Sequence, residues 1–232
     1  MKRNLLYIAL SLVAILQLSG CEKTSNIVAE NSILTYASYD RIDVNHDAFD
    51  AQIVIHQYTN GYGTILFDRL ITKIGDRAFS HCSSLTSITI LDTVNSIGRE
   101  AFYNCCNLTS ITIPDGIIHI GSKAFYNCDS LTSITIPDTV NSIGDKAFFS
   151  CDRLTSITIP DGVTHIGDMA FYDCNNLTKV ICTATTPPLG GTAMFDNNAD
   201  VRIIFVPRES VELYKSAPNW NNYAKMIIGY DL

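Results

Sequence analysis

No basic run follows Lys2-Arg3 in this chain. The 232 residues carry 16 Lys and Arg against 23 Asp and Glu, a formal charge of −7, so there is no cationic patch to hold a nucleic-acid backbone. No apolar stretch reaches the ~20 residues that a transmembrane helix needs; LLYIALSLVAIL, residues 5–16, stops short. No glycine-rich phosphate loop occurs. The 8 Cys and 5 His form no compact quartet with metal-ligand spacing. No Ser-His-Asp set and no pair of buried acids can be assembled. The expectation is a protein that is not an enzyme, holds no cofactor or metal and has no nucleic-acid partner.

What the chain has instead is repetition. Residues 71–185 write one 23-residue unit five times without insertion: ITKIGDRAFSHCSSLTSITILDT, VNSIGREAFYNCCNLTSITIPDG, IIHIGSKAFYNCDSLTSITIPDT, VNSIGDKAFFSCDRLTSITIPDG and VTHIGDMAFYDCNNLTKVICTAT. Gly75, Gly98, Gly121, Gly144 and Gly167 mark the period, as do Phe79, Phe102, Phe125, Phe148 and Phe171 and the thiols of Cys82, Cys105, Cys128, Cys151 and Cys174. A fixed period between about 20 and 50 residues means stacked coils.

The pattern of one coil predicts its shape. In LTSITI the isoleucines alternate with Ser and Thr, the signature of a strand with one buried face. VNSI is a second, shorter extended piece. GREAFYNC between them is too short for a standing helix and is expected to make tight or 3₁₀ turns. In PDG, proline fixes φ, aspartate can bond the following backbone and glycine permits φ > 0. One coil cannot bury its own apolar face, so the array needs neighbours and caps. The fold class expected is mainly β, a solenoid with a β-hairpin cap before it and a small helical cap after it.

The motif IGxxAFxxCxxLTSITIPDxV, intact over 143–163 and ending in Ile117 over 97–117, resembles the BspA-like leucine-rich repeats of bacterial cell-surface proteins. The resemblance covers about half of the chain. It implies a leucine-rich-repeat solenoid and a surface protein that binds protein ligands, a host extracellular-matrix protein among the candidates.

The flanks read as follows. Residues 1–20 form an export signal, with Lys2 and Arg3 before the apolar run. Leu18-Ser19-Gly20-Cys21 looks like a lipobox, which implies lipid on Cys21 and anchorage at the outer membrane or cell surface; an ordinary signal peptide with a chance cysteine is the alternative. The anchor is then the sole membrane contact, and residues 21–32 are a polar tether. Residues 33–70 form the N-terminal cap: ILTYASY is a strand, and AQIVIHQY and TILF make a hairpin about Asn60-Gly61. Aligning Ile74 with Ile97 sets Ile65 and Phe67 on core positions, so GTILF reads as a degenerate first coil. Residues 186–232 hold a sixth, irregular coil, with Ala193 and Phe195 keeping the Ala-Phe pair. RESVELYKSA is a short helix, and Trp220, Tyr223 and Ile227 close the stack.

Two surfaces are candidate ligand sites. Ser87 and Thr89, Ser110 and Thr112, Ser133 and Thr135, and Ser156 and Thr158 line the open face of the long strands, or are there because threonine suits exposed strand positions. Tyr103, Tyr126, Phe149 and Tyr172 make an aromatic column, open to sugars or protein partners, or stacked to cover the core. Asp92, Asp115, Asp138 and Asp161 align as well, either recruiting Ca²⁺ or bonding their own turn amides. Three triplets beginning at Asp92, Asp129 and Asp138 resemble an Asp-Ser/Thr-aliphatic O-glycosylation motif, or are turns recurring with the repeat. Cys106, whose counterparts are Ser83, Asp129, Asp152 and Asn175, is expected at the surface. The functional reading is a lipoprotein displaying a scaffold for protein binding or adhesion; the rivals are a passive envelope spacer and an accessory glycan-capture protein. For the anchor the expected outcome is labelled palmitate incorporated into the wild-type chain and lost in Cys21→Ser; label that survives the substitution overturns it.

Overall fold

The computed structural model describes residues 32–231; Cys21, the export signal and most of the tether lie outside them. Three strands open the fold: β1 (Ile33–Ser38), β2 (Ile53–Thr59) and β3 (Tyr62–Phe67). β2 and β3 form the expected hairpin, turning on Asn60 (φ 50°) and Gly61 (φ 87°). Two consecutive left-handed residues match the twist of the flanking strands. The GTILF segment is not the first coil, however. β3 pairs antiparallel with β1, and β1 in turn pairs antiparallel with β5 (Leu85–Thr89), the first long strand of the repeats. Ile65 and Phe67 are buried as expected, but a strand lies between them and the stack, because the hairpin is too tight to wind a full coil.

Beyond the cap the chain winds through about seven coils roughly 23 residues apart. The short extended pieces become β4 (Lys73–Ile74), β6 (Ser96–Ile97), β8 (His119–Ile120), β9 (Ser142–Ile143), β11 (His165–Ile166) and β13 (Leu189–Gly190). They form one unbroken parallel sheet of six strands. The long pieces do not. β5 pairs with β7 (Ser110–Thr112) in the cap's sheet, while β10 (Ser156–Ile159), β12 (Lys179–Cys182), β14 (Ile203–Pro207) and β15 (Ile227–Tyr230) form a second sheet. Between them, residues 131–136 keep the in-out alternation but join neither ladder. Their sequence, LTSITI, is identical to 108–113 and 154–159, so the gap has no local cause. The core registers it: Ile111, Ile113, Ile134 and Ile136 are 5–8% exposed, against 1–3% for Ile88, Ile90, Ile157 and Ile159.

The Gly-x-x-Ala-Phe segments are tight turns and not 3₁₀ helix. Ala78 N donates to Gly75 O at 3.3 Å and Cys82 N to Phe79 O at 3.2 Å. The third residue of each turn is left-handed: Arg77 (φ 58°) and His81 (φ 63°) in the first coil, Lys123 (φ 57°) and Asn127 (φ 55°) in the third. These are the demands of type II turns, and Asn tolerates them better than most residues. Alternate amides then reach across to the next coil, as from Phe79 N to Ala101 O and Phe102 N to Ala124 O, both at 2.8 Å.

The glycine column permits this approach. A Cβ on Gly98 would lie 2.7 Å from Asp76 N, and one on Gly121 would lie 2.5 Å from Gly98 C, closer than real Cβ contacts. Behind it the phenylalanines stack face to face from Phe79 to Phe195 at centroid spacings of 5.1–5.5 Å. Phe49 closes one end edge-on at 5.9 Å.

At the other end the sixth coil carries one extra residue, since Lys179 pairs with Ile203. The insertion shifts the Ala-Phe pair: Met194 takes the buried alanine slot, and Ala193 takes the left-handed position before it (φ 51°). The core therefore keeps Phe195 but not the expected alanine. The helix α1 (Val211–Ser216) buries Tyr214, and Trp220 and Tyr223 pack on Phe195 at 5.9 and 5.6 Å.

In native-state hydrogen exchange the amides of 132–136 should exchange faster than those of 109–113 and 155–159, despite identical sequence. Equal protection in all three segments would contradict the break in the long sheet.

Candidate functional site

The eight hydroxyl residues lie where their alternation puts them. Ser87 is half-buried and the other seven are exposed. Ser87 pairs with Ser110 and Thr89 with Thr112 in parallel register, so the hydroxyls run in columns. Ser133 and Thr135 continue the columns across the gap in the ladder. None of the eight hydroxyls has a hydrogen-bond partner among the described residues. Some other surface threonines differ, although Thr86, Thr132 and Thr155 are likewise without a side-chain partner among the described residues. Thr109 Oγ1 donates to Thr86 O at 3.0 Å, Thr164 Oγ1 to Asn141 O at 3.1 Å and Thr178 Oγ1 to Thr155 O at 3.3 Å. Such hydroxyls tie one coil to the last, whereas those of the open face keep both donor and acceptor capacity for a ligand.

Tyr103, Tyr126, Phe149 and Tyr172 are half-buried and stack in sequence at 4.9, 4.7 and 5.1 Å, with planes within 18° of parallel. Their faces are spent on one another, so the column offers ring edges to solvent. His81 sits edge-on to Tyr103 at 5.4 Å, and Asn197 Nδ2 donates to the Tyr172 hydroxyl at 2.8 Å. Sugar stacking needs an open ring face, and little of one is left.

Asp92, Asp115, Asp138 and Asp161 are exposed, and their carboxylates have no partner among the described residues. The turn-amide role expected of them falls to a different column. Asp76 Oδ1 accepts from Arg99 N at 2.8 Å, Asp145 Oδ1 from Asp168 N at 2.9 Å and Asp168 Oδ1 from Thr192 N at 2.6 Å. The Thr192 amide and hydroxyl hold the Asp168 carboxyl below its usual range. The IGD signature was visible in the repeat; its use as a staple to the next coil needed the stacking. Two of the three glycosylation triplets are also engaged: Thr93 Oγ1 donates to Ile71 O at 2.7 Å and Thr139 Oγ1 to Ile117 O at 2.8 Å, whereas Ser130 has no side-chain partner among the described residues.

Two further groupings escaped the sequence reading because their members are a coil apart. Glu100, its side chain 10% exposed, meets Arg77 at 2.6 Å, Arg99 at 3.2 Å and Lys123 at 3.8 Å. The hydrogen bond from Arg77 holds its carboxyl below the usual range, against the opposing effect of burial. His119 Nδ1 lies 2.6 Å from Ser142 Oγ, and that hydroxyl donates to Asn141 Oδ1 at 2.9 Å. The serine hydroxyl is thus shared between the imidazole and the amide. His165, its equivalent two coils on, is exposed.

The thiol column is packed. Cys105 Sγ donates to Phe79 O at 3.1 Å, Cys128 to Phe102 O at 3.2 Å and Cys151 to Phe125 O at 3.3 Å. Burial raises all of these thiols, Cys82 and Cys174 to about 12. Cys106 is half-buried, less open than its polar counterparts implied.

The sequence model of one family, described as BspA type leucine rich repeat region, matches residues 72–202 in six copies. Among solved structures, a T. pallidum leucine rich repeat protein superposes with a TM-score of 0.52 at 28% identity, over 60% of this chain and 63% of its own. A leucine rich cell surface protein from Faecalibacterium prausnitzii gives 0.50 at 28% identity, over 78% and 54%. The chain thus spans less than two thirds of the length of either. No curated protein matches it.

A thiolate is the species that alkylates, so the raised thiols should be inert. Maleimide applied to the native protein is expected to label Cys106 well before Cys128 or Cys151. Equal rates would remove the packed thiol column.

Proposed function

This chain belongs to the BspA-type leucine-rich-repeat family, and from that premise we propose that it is an exported, lipid-anchored surface protein whose long-strand face binds an extended protein segment. The organisation proposed is an export signal at 1–20, a tether at 21–32 lipidated on Cys21, a β cap at 33–70, the repeats at 71–185 and the last coil and cap at 186–232. Surface placement is supported by the lipobox and by the cell-surface description of the Faecalibacterium prausnitzii relative.

The observation that carries the binding reading is the set of eight hydroxyls on one face, in register from coil to coil and without a partner among the described residues. Four coils at ~4.8 Å each present an open face about 20 Å long. That suits an extended polypeptide better than a small molecule, which favours an enclosed pocket. A host extracellular-matrix protein is the partner class proposed. Stacked rings in the Tyr103–Tyr172 column speak against glycan capture, and the rival of a passive spacer predicts no specific binding.

Thr112→Arg with Thr135→Arg should abolish binding to immobilised matrix protein without lowering the melting temperature, because both side chains point to solvent. Tyr126→Ala with Tyr172→Ala should leave affinity nearly unchanged. Since the face is uncharged, raising salt should weaken binding only modestly. Binding that survives the double arginine variant moves the site elsewhere.

A further inference from the structure

The open face changes character at its C-terminal end. In register with Thr158 come Ile181, Phe205 and Ile228 in successive strands. Ile203 is 38% and Ile228 42% exposed, Phe205 and Tyr230 are half-buried, and Lys179 lies 5.4 Å above the Phe205 ring. Hydroxyls give way to an apolar patch. β15 ends the four-stranded sheet, and among the described residues no strand lies on its outer side. The cap covers the core with Tyr214, Trp220 and Tyr223 but leaves this strand edge unpaired. An apolar edge strand is a template for another chain.

We propose that β15 pairs with the β15 of a second copy, antiparallel about a two-fold axis, joining two four-stranded sheets into one. The occupant follows from the residues at the strand's two ends. Lys225 precedes the strand and Asp231 follows it, and both are exposed. Parallel pairing would set lysine beside lysine and aspartate beside aspartate, which is unfavourable. Antiparallel pairing sets each lysine against the other copy's aspartate. Arg208 holds that aspartate at 2.6 and 2.8 Å, but a carboxylate has lone pairs for a further donor.

The register follows from the pleat. Residues directly opposite in an antiparallel pair face the same side of the sheet. Outward Ile228 must therefore oppose an outward residue, or the two cores would lie on opposite sides. Centring the pair on Ile228 opposes Ile228 to its own copy, Met226 to the second copy's Tyr230, and Lys225 to its Asp231. The contact is isologous, so it closes at two copies and leaves neither β15 edge free.

The test is oxidative cross-linking of the full chain in intact cell envelopes, read on non-reducing gels. On the axis of an antiparallel pair the two Cα atoms lie about 4.5–5.5 Å apart, within disulfide range. Ile228→Cys should give a band of twice the chain mass that reductant removes. The unsubstituted chain, which controls for native thiols, should not, nor should Val201→Cys, more accessible than Ile228 but off the strand. Lys225→Asp in the Ile228→Cys chain should cut the dimer yield roughly tenfold, as two symmetry-related pairs become repulsive, and adding Asp231→Lys should restore it. All three side chains are exposed, and the one ion pair lost, Arg208–Asp231, lies at the surface where such pairs contribute little, so melting temperatures should stay close to the parent and exclude misfolding as a cause. Absence of the Ile228→Cys dimer, equal cross-linking by Val201→Cys, or failure of the charge swap to restore the yield would overturn the pairing.

Discussion

The distance between one coil and the next constrains everything else in this molecule. Backbone amides must reach carbonyls on the neighbouring coil in both strands and in the turn between them. Phenylalanine faces must meet at the same spacing, which they do at 5.1–5.5 Å. Both conditions hold only if nothing projects between coils at the turn, which is why a Cβ on Gly98 or Gly121 would meet backbone within 2.7 Å. The close approach also forces ten non-glycine turn residues of the five repeats, and two more in the sixth coil, into the left-handed region, at about 1–2 kcal/mol each. That cost is carried by the buried column beside it, in which the repeat residues Phe79, Phe102, Phe125, Phe148 and Phe171 are fully buried.

Repetition has a chemical consequence. Whatever one coil displays, its neighbours display again in parallel lines, so unlike groups seldom converge. Where they do, a deviation from the repeat is responsible. Glu100 gathers Arg77, Arg99 and Lys123 because it is the one acid in a column that otherwise holds Arg77, Lys123, Lys146 and Met169. His119 reaches Ser142 because histidine and serine alternate along the short sheet. Both are contacts that join one coil to the next. A scaffold of this kind suits recognition over an extended surface, where identical hydroxyls in a row are useful, better than bond making, which needs different groups at one point.

Ends are the remaining problem for a stack. The N-terminal end is met by a strand of opposite direction, β1, which pairs with the first long strand and covers it with a hairpin. The C-terminal end covers its core with aromatics and, among the described residues, leaves β15 as an edge bearing apolar side chains. The two caps thus treat the same exposed cross-section unequally, and the unequal one is where a second chain has room to add.

The repeat, its two strands, its buried columns and the outward hydroxyl face were all legible in the sequence, because each depends on alternation and period, which are local and repeated five times. The hairpin was legible from its Asn60-Gly61 turn, and the closing role of Trp220, Tyr223 and Ile227 from large apolar side chains placed just after the stack. Pairing was not. That β1 would lie between GTILF and the first coil, that Met194 would displace Ala193 from the core, that Asp76 and Asp168 would staple the next coil while Asp92 and Asp161 would not, and that identical LTSITI segments would join a ladder or miss it all depend on which backbone lies alongside. Sequence determines what each coil offers its neighbours; only the stacked structure decides which neighbour is there and at what distance, because hydrogen bonds between coils join residues a full period apart.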